Sequence, residues 1–463
     1  MKSLKYIWLL CLTAVAVGFA SCDDDDNNES KPIEVKQIYL EDYKSAVPDR
    51  PVDFARLGQL IRIEGSGFMG MKKVYINGYD TYFNVAYVTD NSMLVTIHTK
   101  TPVIDAPEEV RNTIRLVKSG SNSLEYPFTI RAASPAVTSV SNTLPKAGEK
   151  VTVYGTGLHE TTKVTLPGNV EVTDIESDED GEWYSFTMPS GVTASGSIYS
   201  EGANGIAATP EYFSYGGCMI LDFDGNGTQG AWDWSATGSM IDATDLVEDP
   251  IGSGRGLCVQ MVPQRLLDSG SVVPGKARIS ECWTAGADDP ADDWSRMYSS
   301  IPATTPATEV AFQFDIYVPD TWIGTGHLQI SLFNNFNFSG IGTDDDGPNN
   351  QVAFYVPWIQ DQKVVPFTTQ GWQTVTIPFS QFRKYATMLE EGTTTPTFKN
   401  VVDDRNAATY RNFGIGFVNT DFTYEGVSVT STNFNARVYM DNWRVVPCAS
   451  IEISDFNDEE SAE

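Results

Sequence analysis

From residue 33 onward, apolar residues recur at alternate positions in short runs, broken by Gly, Asn, Asp and Pro. A period of two marks half-buried β-strands, whose successive side chains point to opposite faces. Val74-Tyr75-Ile76 leads into Asn77-Gly78, a pair that readily takes the positive φ values of a type I′ hairpin turn. Later strands are predicted at 219–223, 257–262, 310–318, 328–333, 352–356, 372–378, 413–418 and 436–446. Helical periodicity is confined to 380–391 and 403–410. The expected class is all-β.

One pattern occurs twice. Gly58-Gln-Leu60-Ile-Arg-Ile63-Glu-Gly65-Ser-Gly67-Phe68 precedes Lys73-Val74, and Gly148-Glu-Lys-Val151-Thr-Val153-Tyr-Gly155-Thr-Gly157-Leu158 precedes Lys163-Val164. Each is an alternating strand running into Gly-x-Gly-apolar and then a second strand. The glycines allow a bend that a Cβ would obstruct, and the apolar residue after them plugs a sandwich end. A strand follows where a phosphate cradle would need a helix N-terminus. The repeat resembles the IPT/TIG immunoglobulin-like fold. The expected layout is two tandem sandwiches, residues 33–133 and 134–216, then one large β-sandwich over 217–448 and an acidic tail over 449–463.

Among 463 residues, 31 Lys and Arg face 61 Asp and Glu, a formal net charge of −30. Such a chain is repelled by nucleic acid and by anionic lipid headgroups, whereas a neutral sugar is not penalised. The start reads as a short basic region, an apolar run from Tyr6 to Ala20, and Ser21-Cys22. That is a secretory signal over residues 1–21, and Phe19-Ala20-Ser21-Cys22 resembles a bacterial lipobox that would lipidate Cys22. Asp23 to Asp26 open an acidic tether over 22–32, similar to the export signal of Bacteroidota surface lipoproteins. The expected location is the outer face of the cell outer membrane.

No Cys or His pair has zinc-site spacing. Cys218 opens the last domain and Cys448 closes it, so a bridge between them is one reading and buried free thiols the other. Asp222, Asp224, Asn226 and Asp233 occupy positions 1, 3, 5 and 12 of a calcium-type loop with Gly227 at position 6. The alternatives are a structural calcium ion and a plain Asp-Gly turn; no cofactor is required for function.

Eight of the ten tryptophans fall within 217–448. Trp372 and Trp443 alternate with apolar residues and are expected in the core. Trp322 and Trp358 each follow a strand exit, and Trp283 precedes the Gly- and Asp-rich segment 285–293. Loop tryptophans are costly to expose, so these are candidates for binding. An aromatic face suits a sugar ring, whose C–H groups form an apolar patch, while Asn334, Asn335, Asn337, Asp361 and Gln362 offer partners for its hydroxyls.

The whole layout resembles the class B surface glycan-binding proteins of Bacteroidota polysaccharide utilisation loci. Most weight rests on Tyr355-Val-Pro-Trp358 leading into Gly371-Trp-Gln-Thr-Val-Thr-Ile-Pro-Phe-Ser380. The resemblance implies noncatalytic capture of a neutral plant β-glycan, such as xyloglucan or mixed-linkage glucan, beside an outer-membrane uptake system. By placement, Trp322 and Trp358 form the expected stacking platform, with Trp283, Tyr355, Asn335 and Asp361 as further ligand-binding residues. The xyloglucan-binding member pairs a Tyr directly with a Trp, whereas here Pro357 precedes Trp358. A surface glycoside hydrolase and a protein-binding adhesin are the alternatives. Glu281, Asp292 and Asp361 are the acids near the loop tryptophans, and no motif marks any pair of them as catalytic.

Overall fold

The computed structural model describes residues 31–453 apart from 43–48, 120–121, 231–237, 263–273, 335–337 and 393. The chain is all-β, as expected: among the described residues only two α-helices interrupt the strands, Arg383–Glu391 and Phe398–Ala407. The first ends at Gly392, whose φ of 65° a side chain would disfavour. The second starts earlier than periodicity suggests, because Thr397 and Asn400 form a capping box ahead of it. Contacts divide the described residues into two compact units, one of 31–135 with Ala203–Gly205, the other of Ala136–Gly202 with Ile206–Ile453.

The first unit is an immunoglobulin-like sandwich. One sheet orders Arg50–Pro51, Glu34–Leu40, Leu60–Ser66 and Ser92–Thr96; the other orders Tyr79–Thr81, Met71–Ile76, Thr113–Lys118 and Ser123–Pro127. Asn77 and Gly78 take φ of 49° and 78°, the predicted hairpin turn. The glycine pair acts as its pattern suggested. A Cβ on Gly65 would stand 1.8 Å from the Glu34 carbonyl oxygen, and Phe68 beyond it is fully buried.

The second copy of the motif obeys the same constraint within the other unit. A Cβ on Gly155 would meet the Ala136 carbonyl oxygen at 2.1 Å, and Leu158 fills the core. This smaller sandwich does not stand apart from the large one. Ala311 and Val446 of the large sandwich are buried among Val140, Tyr212 and Phe213 of the small one. Beside that apolar contact the Thr143 hydroxyl donates to Gln313 at 3.0 Å and accepts from Arg444 at 3.0 Å. Asp315 accepts from Arg255 at 2.6 Å, from Thr374 at 2.8 Å and from Arg444 at 3.1 Å. Burial alone would raise the Asp315 carboxyl, but the two guanidinium groups outweigh it and hold the group below the usual carboxylate range.

The large sandwich has one sheet ordered Val247–Glu248, Leu257–Val262, Val438–Pro447, Val310–Tyr317 and Gln373–Pro378, with Met219–Leu221 also paired to Val438–Pro447. The facing sheet orders Lys276–Trp283, Gly414–Asn419, His327–Ser331 and Val352–Tyr355. Phe312, Phe314, Val445, Leu328, Ile330, Ile415 and Phe417 fill the space between them. Each such side chain stabilises the fold by about 1.5–3 kcal/mol relative to exposure. Trp372 and Trp443 lie in the core, as the alternation indicated.

Two readings that the residues left open meet the structure here. Cys218 and Cys448 are free thiols. Met219 pairs with Arg444 and the Cys218 carbonyl accepts from the Val445 N–H, so the register carries Cys448 past its expected partner to Glu309. The Asp222 loop is a hydrogen-bonded turn. One Asp222 oxygen accepts from the N–H groups of Asp224 and Asn226, and Asp224 accepts from the Leu257 N–H, so these carboxylates face donors rather than one another. Asp233 lies outside the described residues, as do Cys22 and Asn335. Among the described residues, no group of three or more His, Cys, Asp or Glu is arranged to hold a metal ion.

Candidate functional site

The predicted ligand-binding residues fall at opposite ends of the four-stranded sheet. His327 pairs with Val418 and Leu328 with Tyr355 at one end; Ser331 pairs with Gly414, and Gly414 with Trp283, at the other. Tyr355, Trp322, Trp358 and Asp361 gather at the first end. Neither tryptophan there is a platform: both are 0% exposed. The Trp322 Nε1–H donates to the Thr325 carbonyl at 2.8 Å and the Trp358 Nε1–H to the Gly326 carbonyl at 2.9 Å. With its single donor satisfied by a neighbouring turn, each indole is buried without leaving an unpaired N–H.

Tyr355 is half-buried against Phe314 and Phe367, and burial raises its phenol above the usual range. Asp361 is exposed, with Gln362, in the tight turn of the Ile359–Gln360/Lys363–Val364 hairpin. Among the described residues that surface carries Ile323 and Val364 but no exposed aromatic ring.

The second end is built differently. Trp283 is also buried, its Nε1–H donating to Glu281 at 2.8 Å and its ring stacking on Phe338 at 4.8 Å. Both rings lie over glycines, since a Cβ on Gly414 would fall 2.1 Å from Trp283 and one on Gly416 2.5 Å from Phe338. Gly230 and Ser239 bond to this strand end through the Trp283 carbonyl and the Glu281 carboxylate.

Three loops leave this end and share one buried anchor. Arg405 donates to the Asp292 carboxylate at 2.8 Å and to the Leu332 carbonyl at 2.6 Å, and its guanidinium lies 4.0 Å from the Trp294 ring centroid. Asp292 also accepts from the Thr284 hydroxyl at 2.6 Å. Burial raises the Asp292 carboxyl, against the pull of Arg405, and lowers the Arg405 guanidinium to about 10. The pair is held by geometry and hydrogen bonds in a place that disfavours isolated charge.

Above the anchor, Asn412 donates to the Thr284 carbonyl at 2.8 Å and the Asn334 N–H to the Tyr410 carbonyl at 2.9 Å. Tyr410 is 53% exposed, the one aromatic side chain of 217–453 exposed by more than a third among the described residues. A ring face beside amide groups on braced loops is an arrangement that can stack a sugar and meet its hydroxyls. Sequence reasoning missed Tyr410 by placing it within a helix. The signal present was the polar run Thr409-Tyr-Arg-Asn412, after the helix and before a buried strand.

Two of the three acids near the tryptophans are tied into the structure. Glu281 and Asp292 are buried and engaged with Ser239, Trp283, Thr284 and Arg405, while Asp361 stands alone at the far end.

A family model described as the surface glycan-binding protein B xyloglucan binding domain matches residues 213–447, just over half of the chain. The chain belongs to this family. The matched residues hold both ends of the sheet and the Arg405–Asp292 anchor. An IPT/TIG domain-containing protein of Bacteroides ovatus is 25% identical over 348 residues, covering 72% of this chain and 56% of that protein. The match thus spans little more than half the length of that relative. The crystal structure of a surface glycan-binding protein B from Prevotella bryantii is 19% identical, covers 89% of this chain and 98% of its own, and superposes with a TM-score of 0.60. It shares the fold. The corresponding protein from a complex xyloglucan utilization locus in Bacteroides uniformis covers 89% of this chain and 99% of its own, at 16% identity and a TM-score of 0.45.

Proposed function

We propose that this chain is a noncatalytic surface protein that captures a neutral hemicellulose-type β-glucan, xyloglucan or mixed-linkage glucan, at the Tyr410 end of its large sandwich. The observation that carries this reading is the family match over residues 213–447, the domain that bears the braced aromatic loop end. Capture without hydrolysis is supported by Glu281 and Asp292, whose oxygens are committed to buried hydrogen bonds instead of facing each other across a cleft. The Cys22 lipobox and the acidic tether support anchoring on the outer face of the outer membrane, where capture would feed an uptake complex. Affinity electrophoresis of the full mature chain in xyloglucan, mixed-linkage glucan, mannan and xylan gels tests the reading. Retardation in the β-glucan gels without release of reducing ends is expected. Migration unaltered in every gel contradicts it.

A further inference from the structure

The three most exposed large apolar side chains among the described residues lie within six positions of one another in the first unit. Tyr82 is 82% exposed, Val85 70% and Tyr87 59%. Single exposed apolar residues are ordinary, but a cluster of the most exposed ones asks for a partner.

The segment is held from below. Phe83 and Val88 pack against the core of the sandwich, so the residues between and before them are turned outward. The Asn84 side chain accepts the Ala86 N–H at 3.0 Å, the Tyr87 N–H donates to the Asn84 carbonyl at 2.9 Å, and Val88 bridges to Met93. The Thr89 hydroxyl accepts from the Ser92 N–H at 3.0 Å and closes the next turn. The rings are therefore presented on a pre-formed backbone, which lowers the ordering penalty of binding.

Charge narrows the partner. Residues 81–89 contain no charged side chain, although charged residues make up 20% of the chain. The acids on either side are neutralised locally, Asp80 by Lys73 and Asp90 by Lys31. Size narrows it further. Three side chains of this kind supply on the order of 400 Å², about half of the roughly 800 Å² that each partner contributes to a stable protein interface. A neutral, hydroxylated ring compound fits: tyrosine offers a ring face for C–H groups and a hydroxyl that both donates and accepts.

We infer that Tyr82, Val85 and Tyr87 form a second, accessory contact for the neutral β-glycan, separate from the Tyr410 loop end. The inference rests on the proposed function and adds a site to it. The test is affinity electrophoresis of the full mature chain, comparing wild type with Tyr82→Ala/Tyr87→Ala, Tyr410→Ala and the triple variant in xyloglucan and mixed-linkage glucan gels. Thermal unfolding is recorded beside it. Removing the two exposed tyrosines is expected to weaken retardation about three- to tenfold with the unfolding midpoint unchanged. The triple variant is expected to lose the retardation that Tyr410→Ala retains. Wild-type retardation matched by Tyr82→Ala/Tyr87→Ala overturns the second site and leaves the proposed function standing, even if that variant has lost a protein partner. A wild type that no gel retards overturns both.

Discussion

At one end of the four-stranded sheet, Trp322 and Trp358 point their indole N–H groups at the Thr325 and Gly326 carbonyls and vanish into the core. At the other end Trp283 is equally buried, but there it forms a floor with Phe338, and Tyr410 stays in solvent above loops tied to Arg405 and Asp292. Both ends are rich in aromatic residues, and among the described residues only one presents a ring. What separates them is Tyr410, because all three tryptophans satisfy their N–H groups inside the fold. A backbone carbonyl in the next turn lets a tryptophan be structural, so tryptophan abundance in this domain reports mainly on the core.

That contrast can be broken by substitution, beginning with the largest effect. Trp358→Ala removes a fully buried indole and strands the Gly326 carbonyl, so a loss of about 3–5 kcal/mol of stability is expected in urea unfolding. A platform residue would instead lose binding with its stability intact. Arg405→Ala leaves Asp292 buried without its cation, with an expected loss of about 3–5 kcal/mol. Because the same pair braces the loops of the proposed site, glycan affinity should fall with it. Double substitution of Arg405 and Asp292 by Met and Leu should recover part of the stability, measured by the same unfolding curves.

The third test concerns His327, on the outer face of the same sheet between the rings of Phe354 and Phe422. Burial lowers its imidazole from 6.5 to about 3, so the folded chain holds it neutral while the unfolded chain protonates it. The unfolded state then binds more protons below pH 6.5, and this group's contribution to stability falls as pH drops from 6.5 toward about 3. The loss is at most about 1.4 kcal/mol per pH unit. His327→Leu should flatten that slope relative to wild type in urea unfolding followed from pH 7 to pH 4, and parallel slopes would contradict the account.

Much of this architecture was legible in the chain. The repeated Gly-x-Gly-apolar pattern, the Asn77-Gly78 turn and the alternating strands are signals that can be read within a few residues of sequence, even where the carbonyl that demands the glycine, as Glu34 does at Gly65, lies on a neighbouring strand. What escaped was long-range. Trp358 is buried because the fold brings the Gly326 carbonyl, 32 residues away, within reach of its indole N–H, and the register of Cys218 depends on pairing with a strand more than two hundred residues away. The same holds for Thr143, whose partners Gln313, Thr374 and Arg444 make the small sandwich part of the large one. Tyr410 was hidden for a different reason: the helix ahead of it starts and ends earlier than its apolar periodicity indicates.

The smallest effect on stability is expected for Tyr410→Ala, within about 0.5 kcal/mol, because the ring is largely in solvent. Its effect on binding is the most direct test of where the glycan sits. Isothermal titration of the full mature chain with a xylogluco-oligosaccharide should show Tyr410→Ala weakening affinity about tenfold or more, while Asp361→Ala at the opposite end leaves it unchanged. Full affinity in Tyr410→Ala would contradict the account, and a loss confined to Asp361→Ala would move the site to the other end of the sheet.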